Sequence, residues 1–309
     1  MRAESGIRQR VLRALTLNRT PGYHFTGHFL SISHDHVAVE AARTSMRVGP
    51  HCAEADGGIN YGALAVFADL SMAANVRAGH DLATRLAAVA LHMNFSGAPI
   101  AGRIDAAVSP QGYLVDVAGR LGATAFTMTA GGRQVCFGTG SFMVLDPPKG
   151  VTLHARQLRR EGDAEAAPVP ESDLTRDERA ILRRTDAALA VQDGDAFIRR
   201  FWGFETRPLA DGAAGTMKNG PHIANRVGHV QGGVTMGLGM ATAEAAMPES
   251  WMISGVTAWF IGPGEGRQIR ARSKIIHPGR RTAVVRTEIT GKDRRRVMEL
   301  ITTHARRAE

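Results

Sequence analysis

A chain of 309 residues is long enough for two domains of ordinary size. Hydrophobic residues make up 44% and charged residues 22%, which excludes a disordered chain, and no apolar run reaches the roughly 18 residues of a membrane helix. The formal charge of +9 raises nucleic acid as a partner, but no aromatic-basic interleaving supports one, and two cysteines, Cys52 and Cys136, are too few for a disulfide framework.

In chain order, the Arg-rich start lacks the apolar core of a secretory signal and is expected to form a capping helix, with the cytoplasm as the expected compartment. Residues 27–33 and 36–43 suggest a hairpin or strand. From Asn60 to Gly79 the chain is apolar nearly all round, the mark of a helix buried on most sides, and Gly79 is a fitting stop. Strands are expected at 87–95, 102–108, 113–121, 123–130 and 134–145, with turns at Pro110-Gln111-Gly112 and Gly131-Gly132. Residues 147–196 form a linker carrying one surface helix over 176–191. A strand at 197–206 then precedes a second apolar helix that starts near Gln231 and ends before Pro248. Strands follow at 252–261, 268–276, 282–290 and 297–304, with turns at His277-Pro278-Gly279 and Gly291-Lys292-Asp293.

These elements repeat. Gly49-Pro50-His51 returns as Gly220-Pro221-His222, a shift of 171 positions that also carries Gly57 onto Gly228 and Gly62 onto Gly233. One helix followed by consecutive antiparallel strands, twice over, predicts an α+β fold in which each curled sheet wraps one central helix. The expected domains are 1–146 and 197–309, packed as a dimer within one chain, with 147–196 between them.

The string Asn225-Arg226-Val227-Gly228-His229-Val230-Gln231-Gly232-Gly233 resembles the N-x-x-G-x-x-H-G-G signature of the phenylacetyl-CoA thioesterase-like hotdog family, with Gln231 at the His position. In that family an acidic residue lies nine positions beyond the His. The first copy has Asn60 and then Asp69 at these places, and the second has Met240 where the acid would be. The resemblance implies two tandem hotdog domains that hydrolyse an acyl-CoA thioester to a carboxylic acid and free coenzyme A. It requires no metal and no cofactor beyond the coenzyme A of the substrate. It also implies composite sites between the repeats, one made of Asp69, Asn225, Gln231, Gly232 and Gly233. The opposite one, of Glu54, Asn60, Tyr61, Gly62 and Met240, lacks the acid and is expected to be inactive.

The chemistry needs these residue types. Backbone N–H groups at a helix start can hold the oxyanion of a thioester under attack, and glycines allow its close approach. Asp69 is then general base or nucleophile, and Asn225 or Gln231 orients water or polarises the carbonyl. Gln231 retains a hydrogen-bond donor but removes a titratable group. Substrate-binding candidates are His92, for the acyl pocket, and Arg120, Arg280 and Arg281, for coenzyme A phosphates. Asn225 and Gln231 equally suit loop and helix capping, and the glycines suit helix packing. A non-catalytic acyl-CoA binding or sensing protein is the alternative, and further homo-oligomerisation is compatible with either reading.

Overall fold

The computed structural model describes residues 2–22, 24–81, 83–113, 120–147, 149–150, 152–191, 194 and 196–307. The first half runs α1 (Arg2–Asn18), α2 (Phe25–Phe29), β1 (Ser33–Val37), β2 (Ala42–Arg47), α3 (Tyr61–Ala78), β3 (Arg85–Phe95), β4 (Arg103–Tyr113), β5 (Leu121–Ala130) and β6 (Arg133–Leu145). After α4 (Arg176–Ala190) the second half repeats the pattern: α5 (Phe197–Trp202), β7 (Glu205–Leu209), β8 (Gly212–Lys218), α6 (Gly232–Glu244), β9 (Trp251–Phe260), β10 (Gln268–Pro278), β11 (Thr282–Thr290) and β12 (Arg296–Arg306). None of the described helices is long and apolar enough to cross a membrane.

All twelve strands form one antiparallel sheet in the order β1-β2-β4-β5-β6-β3-β9-β12-β11-β10-β8-β7. The second half of that order mirrors the first. The seam is β3 against β9, where Ala90 pairs with Trp259 and Asn94 with Gly255. Along β5 and β11 burial alternates, so that Phe126 and Met128 in one half, and Val285 and Ile289 in the other, face inward. That inner face covers α3 and α6, whose own residues are buried on nearly every side.

The repeat is legible at atomic detail before each central helix. Isolated bridges join Ala53 to Ile59 and Ala224 to Val230, and Gly57 and Gly228 take φ of 83° and 82°, a left-handed turn that glycine enters freely. The helices then cross with almost no side chain between them. A Cβ on Gly237 would lie 2.5 Å from Gly62 Cα, and one on Gly233 would lie 2.5 Å from Val66 Cα. Gly233 corresponds to Gly62 in the repeat, so the two contacts are related by exchange of the halves.

Three expectations need correction. The strands expected at 27–33 and 197–206 begin instead as short helices, α2 and α5. Their phenylalanines, Phe25 with Phe29 and Phe197 with Phe201, are four apart, a helical spacing that gathers one aromatic face. Phe29 and Phe201 meet at 5.1 Å between ring centroids, and each takes a histidine edge, His51 at 5.7 Å and His222 at 5.5 Å. Pro110-Gln111-Gly112 is not a turn but a β-bulge within β4, since Pro110 pairs with Thr124 and Gly112 with Ala123. Of the stretch 113–121, residues 114–119 lie outside the described residues, as do Met1 and, within the expected linker, residues 148, 151, 192, 193 and 195. The linker helix α4 is not merely a surface element. Thr175 and Glu178 form its capping box, and Ile181, Leu182 and Ala188 are buried on its inner face.

Candidate active site

Asp69 projects from the middle of α3, and Gln231 caps the N-terminus of α6. The cap fixes the amide: Gln231 Oε1 accepts from the Val234 N–H at 2.9 Å, which turns Nε2 toward the other half of the chain, where it donates to Asp69 Oδ2 at 2.6 Å. Burial pushes the Asp69 carboxyl up to about 6, against the opposing pull of the Arg156 and Arg77 guanidiniums and of the Gln231 hydrogen bond.

Asn225 holds the loop ahead of α6, its Oδ1 accepting from the Val227 and His229 N–H groups at 3.0 and 3.1 Å. The two glycines divide their tasks. Gly232 lines the cavity, where a Cβ would press on the Phe260 ring at 2.8 Å, whereas Gly233 is turned to the α3 backbone. In the first turn of α6 the Val234 N–H is taken by the Gln231 side chain and the Thr235 N–H by the Gln231 carbonyl, which leaves the N–H groups of Gly232 and Gly233 without an intrahelical acceptor.

Asp69, Asn225, Gln231 and Gly232 thus share the wall of one cavity of about 360 Å³, closed by the start of β3 and by the loop from Ile261 to Gly264 after β9. The motif did not reveal its cations. Arg77, two helical turns beyond Asp69 on the same face of α3, is 5% exposed and donates to the Ala73 and Thr84 carbonyls. Arg226 donates to the carbonyls of His154 and Thr84. Arg156, brought in by the linker, also lines the cavity. Burial lowers its guanidinium to about 10, together with its neighbour Arg226 and against the pull of Asp69. An arginine interrupting the end of an apolar helix was the only sequence signal for Arg77, and the linker offered none for Arg156.

The proposed substrate-binding residues lie elsewhere. His92 sits on the outer face at the β3–β9 seam, bonded to Thr257 and Asn94 at 2.7 and 2.8 Å, because its buried neighbours Leu91 and Met93 take the inner face. Arg120 pairs with Asp146 at 3.0 Å outside the cavity. Arg280 and Arg281 are exposed beside the β10–β11 turn, where Thr282 pairs with Ala305, at the opposite end of β12 from cavity-lining Met298.

At the mirror-related position, Asn60 caps α3 and donates to Glu54 at 2.5 Å. Tyr61 packs on Phe95, Gly62 abuts Gly237, and Met240 is fully buried. The sequence suggested no acid here, yet Glu244 lies one turn beyond Met240. It is held by Arg199 at 3.1 Å, and Arg199 also grips Glu54 at 2.8 Å. Burial raises the Glu244 carboxyl, and Arg199 opposes the rise. Glu54, Arg199 and Glu244 thus form an ion-pair cluster at this position.

Residues 221–305 match the sequence model of a family described as "Acyl-CoA thioesterase N-terminal domain". A search of curated proteins finds no match. Among solved structures, a hot dog fold protein of unknown function from Alicyclobacillus acidocaldarius superposes with a TM-score of 0.57 at 11% identity, covering 93% of this chain and 99% of its own. A tesB protein from Mycobacterium avium subsp. paratuberculosis gives 0.53 at 14% identity, covering 90% and 96%. Acyl-CoA thioesterase II TesB2 from Mycobacterium marinum gives 0.51 at 12%, covering 91% and 96%. The chain is an α+β double hotdog, and its C-terminal half resembles an acyl-CoA thioesterase domain.

Proposed function

We propose that the chain is an acyl-CoA thioesterase with one composite active site at the interface of its halves. The observation that carries this reading is the 2.6 Å contact of Gln231 with Asp69, which joins the α6 N-terminus of one half to the carboxylate of the other beside a cavity.

Gln231 occupies one oxygen of Asp69 and leaves the second for water. Asp69 takes a proton from that water as its oxygen bonds to the thioester carbonyl carbon. The oxyanion that forms is held by N–H groups of the first turn of α6, reinforced by the helix dipole. Collapse breaks the C–S bond, the departing thiolate takes the proton back from Asp69, and a carboxylic acid and free coenzyme A leave. A carboxyl near 6 is a base at neutral pH without being a trivial one.

A panel of acyl-CoA substrates with a free-thiol readout tests the reading. Asp69→Ala and Asn225→Ala should lose thiol release, while Met240→Leu, in the mirror position, should retain it. Tight thioester binding with no turnover on any substrate would favour the sensing alternative, and full activity in Asp69→Ala would remove the catalytic assignment.

A further inference from the structure

The cavity wall carries more positive charge than the reaction above uses. Arg77, Arg85, Arg156 and Arg226 face a single lining carboxylate, Asp69. Three of them rest on neutral carbonyls: Arg77 on Ala73 and Thr84, Arg226 on Thr84 and His154, and Arg85 on Asp146. Arg77 and Arg226 share the Thr84 carbonyl, so two guanidiniums converge where, among the described residues, neither forms an ion pair. Among the described residues Arg156 makes no ion pair or hydrogen bond, and its Nε is buried without a partner. Partly dry, mutually repelling cations are costly to maintain unless an anion joins them.

The position that an anion would take follows from the helix. Asp69, Ala73 and Arg77 stand at i, i+4 and i+8 on one face of α3 and line the same cavity. Two turns put Arg77 about 12 Å along the axis from Asp69, with its side chain leaning back toward it. Arg156 and Arg77 line the same cavity as Asp69, and their charges act on its carboxylate, so an anion bound by them would share that cavity with the thioester. The pantetheine arm separates the phosphates of coenzyme A from the sulfur, which favours the acyl group as the source of an anion close to the thioester.

Resting on the thioesterase reading, we propose that the acyl group hydrolysed here bears a carboxylate of its own, received by Arg156 with Arg77 and Arg226 behind it. A guanidinium fork matches a carboxylate with two parallel hydrogen bonds, which a neutral acyl chain cannot return.

The test compares glutaryl-CoA with pentanoyl-CoA, equal in chain length and different in the terminal carboxylate. Turnover is measured by thiol release, and binding is measured by calorimetry with the two non-hydrolysable thioether analogues. The parent should favour the glutaryl compounds at least about tenfold in both kcat/KM and Kd, the range of one charge-assisted hydrogen bond. Arg156→Gln should collapse that ratio toward one, and Arg156→Lys should restore part of it. The ratio cancels any effect of the substitution on Asp69, and Arg226→Gln serves if Arg156→Gln does not fold. A parent that does not discriminate overturns the proposal. So does an Arg156→Gln variant that weakens both compounds alike, which would assign the arginine to the coenzyme they share. Absence of turnover on both thioesters would count against hydrolysis of these compounds alone, and the binding ratio would still decide where the anion sits.

Discussion

Replacing Asp69 by Asn removes a charge that the fold is poorly equipped to hold, and the consequence for stability has a definite sign. The carboxyl goes from 3.8 to about 6 on folding. At 1.36 kcal/mol per pKa unit this is a penalty of at most roughly 3 kcal/mol for carrying the ionised form. Asp69 is only half-buried against the cavity, so solvent reduces the figure to about 1–3 kcal/mol. Because the folded value is the higher one, the favourable protonated state is complete below about 4 and is lost as pH rises through about 6. Asn cannot titrate, yet its side-chain oxygen can still accept from Gln231. Asp69→Asn should therefore abolish thiol release and raise the urea midpoint at pH 8, and the gain should vanish by pH 4. Paired urea titrations at the two pH values measure it. Equal stability of variant and parent at both would refute the claim that the carboxylate is desolvated.

In the parent, kcat/KM should fall below an acid limb near pH 6. Gln231→Ala removes a bond that lowers the Asp69 value, so its limb should move upward, and loss of the helix cap should cost about 1 kcal/mol in denaturant. A limb moving down would show that Gln231 does not stabilise the anion. Gly237→Ala drives a methyl into Gly62 Cα and should cost about 1–3 kcal/mol by urea unfolding; full stability would mean that the helices can part freely. Arg199→Met leaves Glu54 and Glu244 without their cation and should destabilise by about 1–3 kcal/mol while the folded protein keeps its thiol release. Loss of turnover in that variant would give the mirror-related cluster a part in the reaction.

The repeat and the two central helices could be anticipated because they are written in local chemistry, whereas the composite pairing of Asp69 with Gln231 was anticipated only through the resemblance of the Asn225–Gly233 string to a known family. Glycines at the left-handed turns and at the crossing recur at one interval, and Asp69 stands alone among apolar neighbours. What escaped was set by tertiary packing. The aromatic spacing of Phe25 with Phe29 suits a helix, but short apolar segments satisfy strand and helix patterns alike until their neighbours are known. His92 alternates correctly for either face of its strand, and only the side covered by α3 and α6 decides which. Arg156 sits in a charged linker with nothing local to mark it, and only the folded linker brings it to the wall of the cavity.

The exchange-related contacts at Gly62 with Gly237 and Val66 with Gly233 would be identical in a pair of separate, equal subunits. Joining the partners covalently removes that obligation, since a codon change then alters one position and not two. One end of the crossing can keep a desolvated acid beside an open hollow, while the other is welded by Arg199 between two glutamates. Had the halves been encoded once, every substitution that braced one end would have sealed the other.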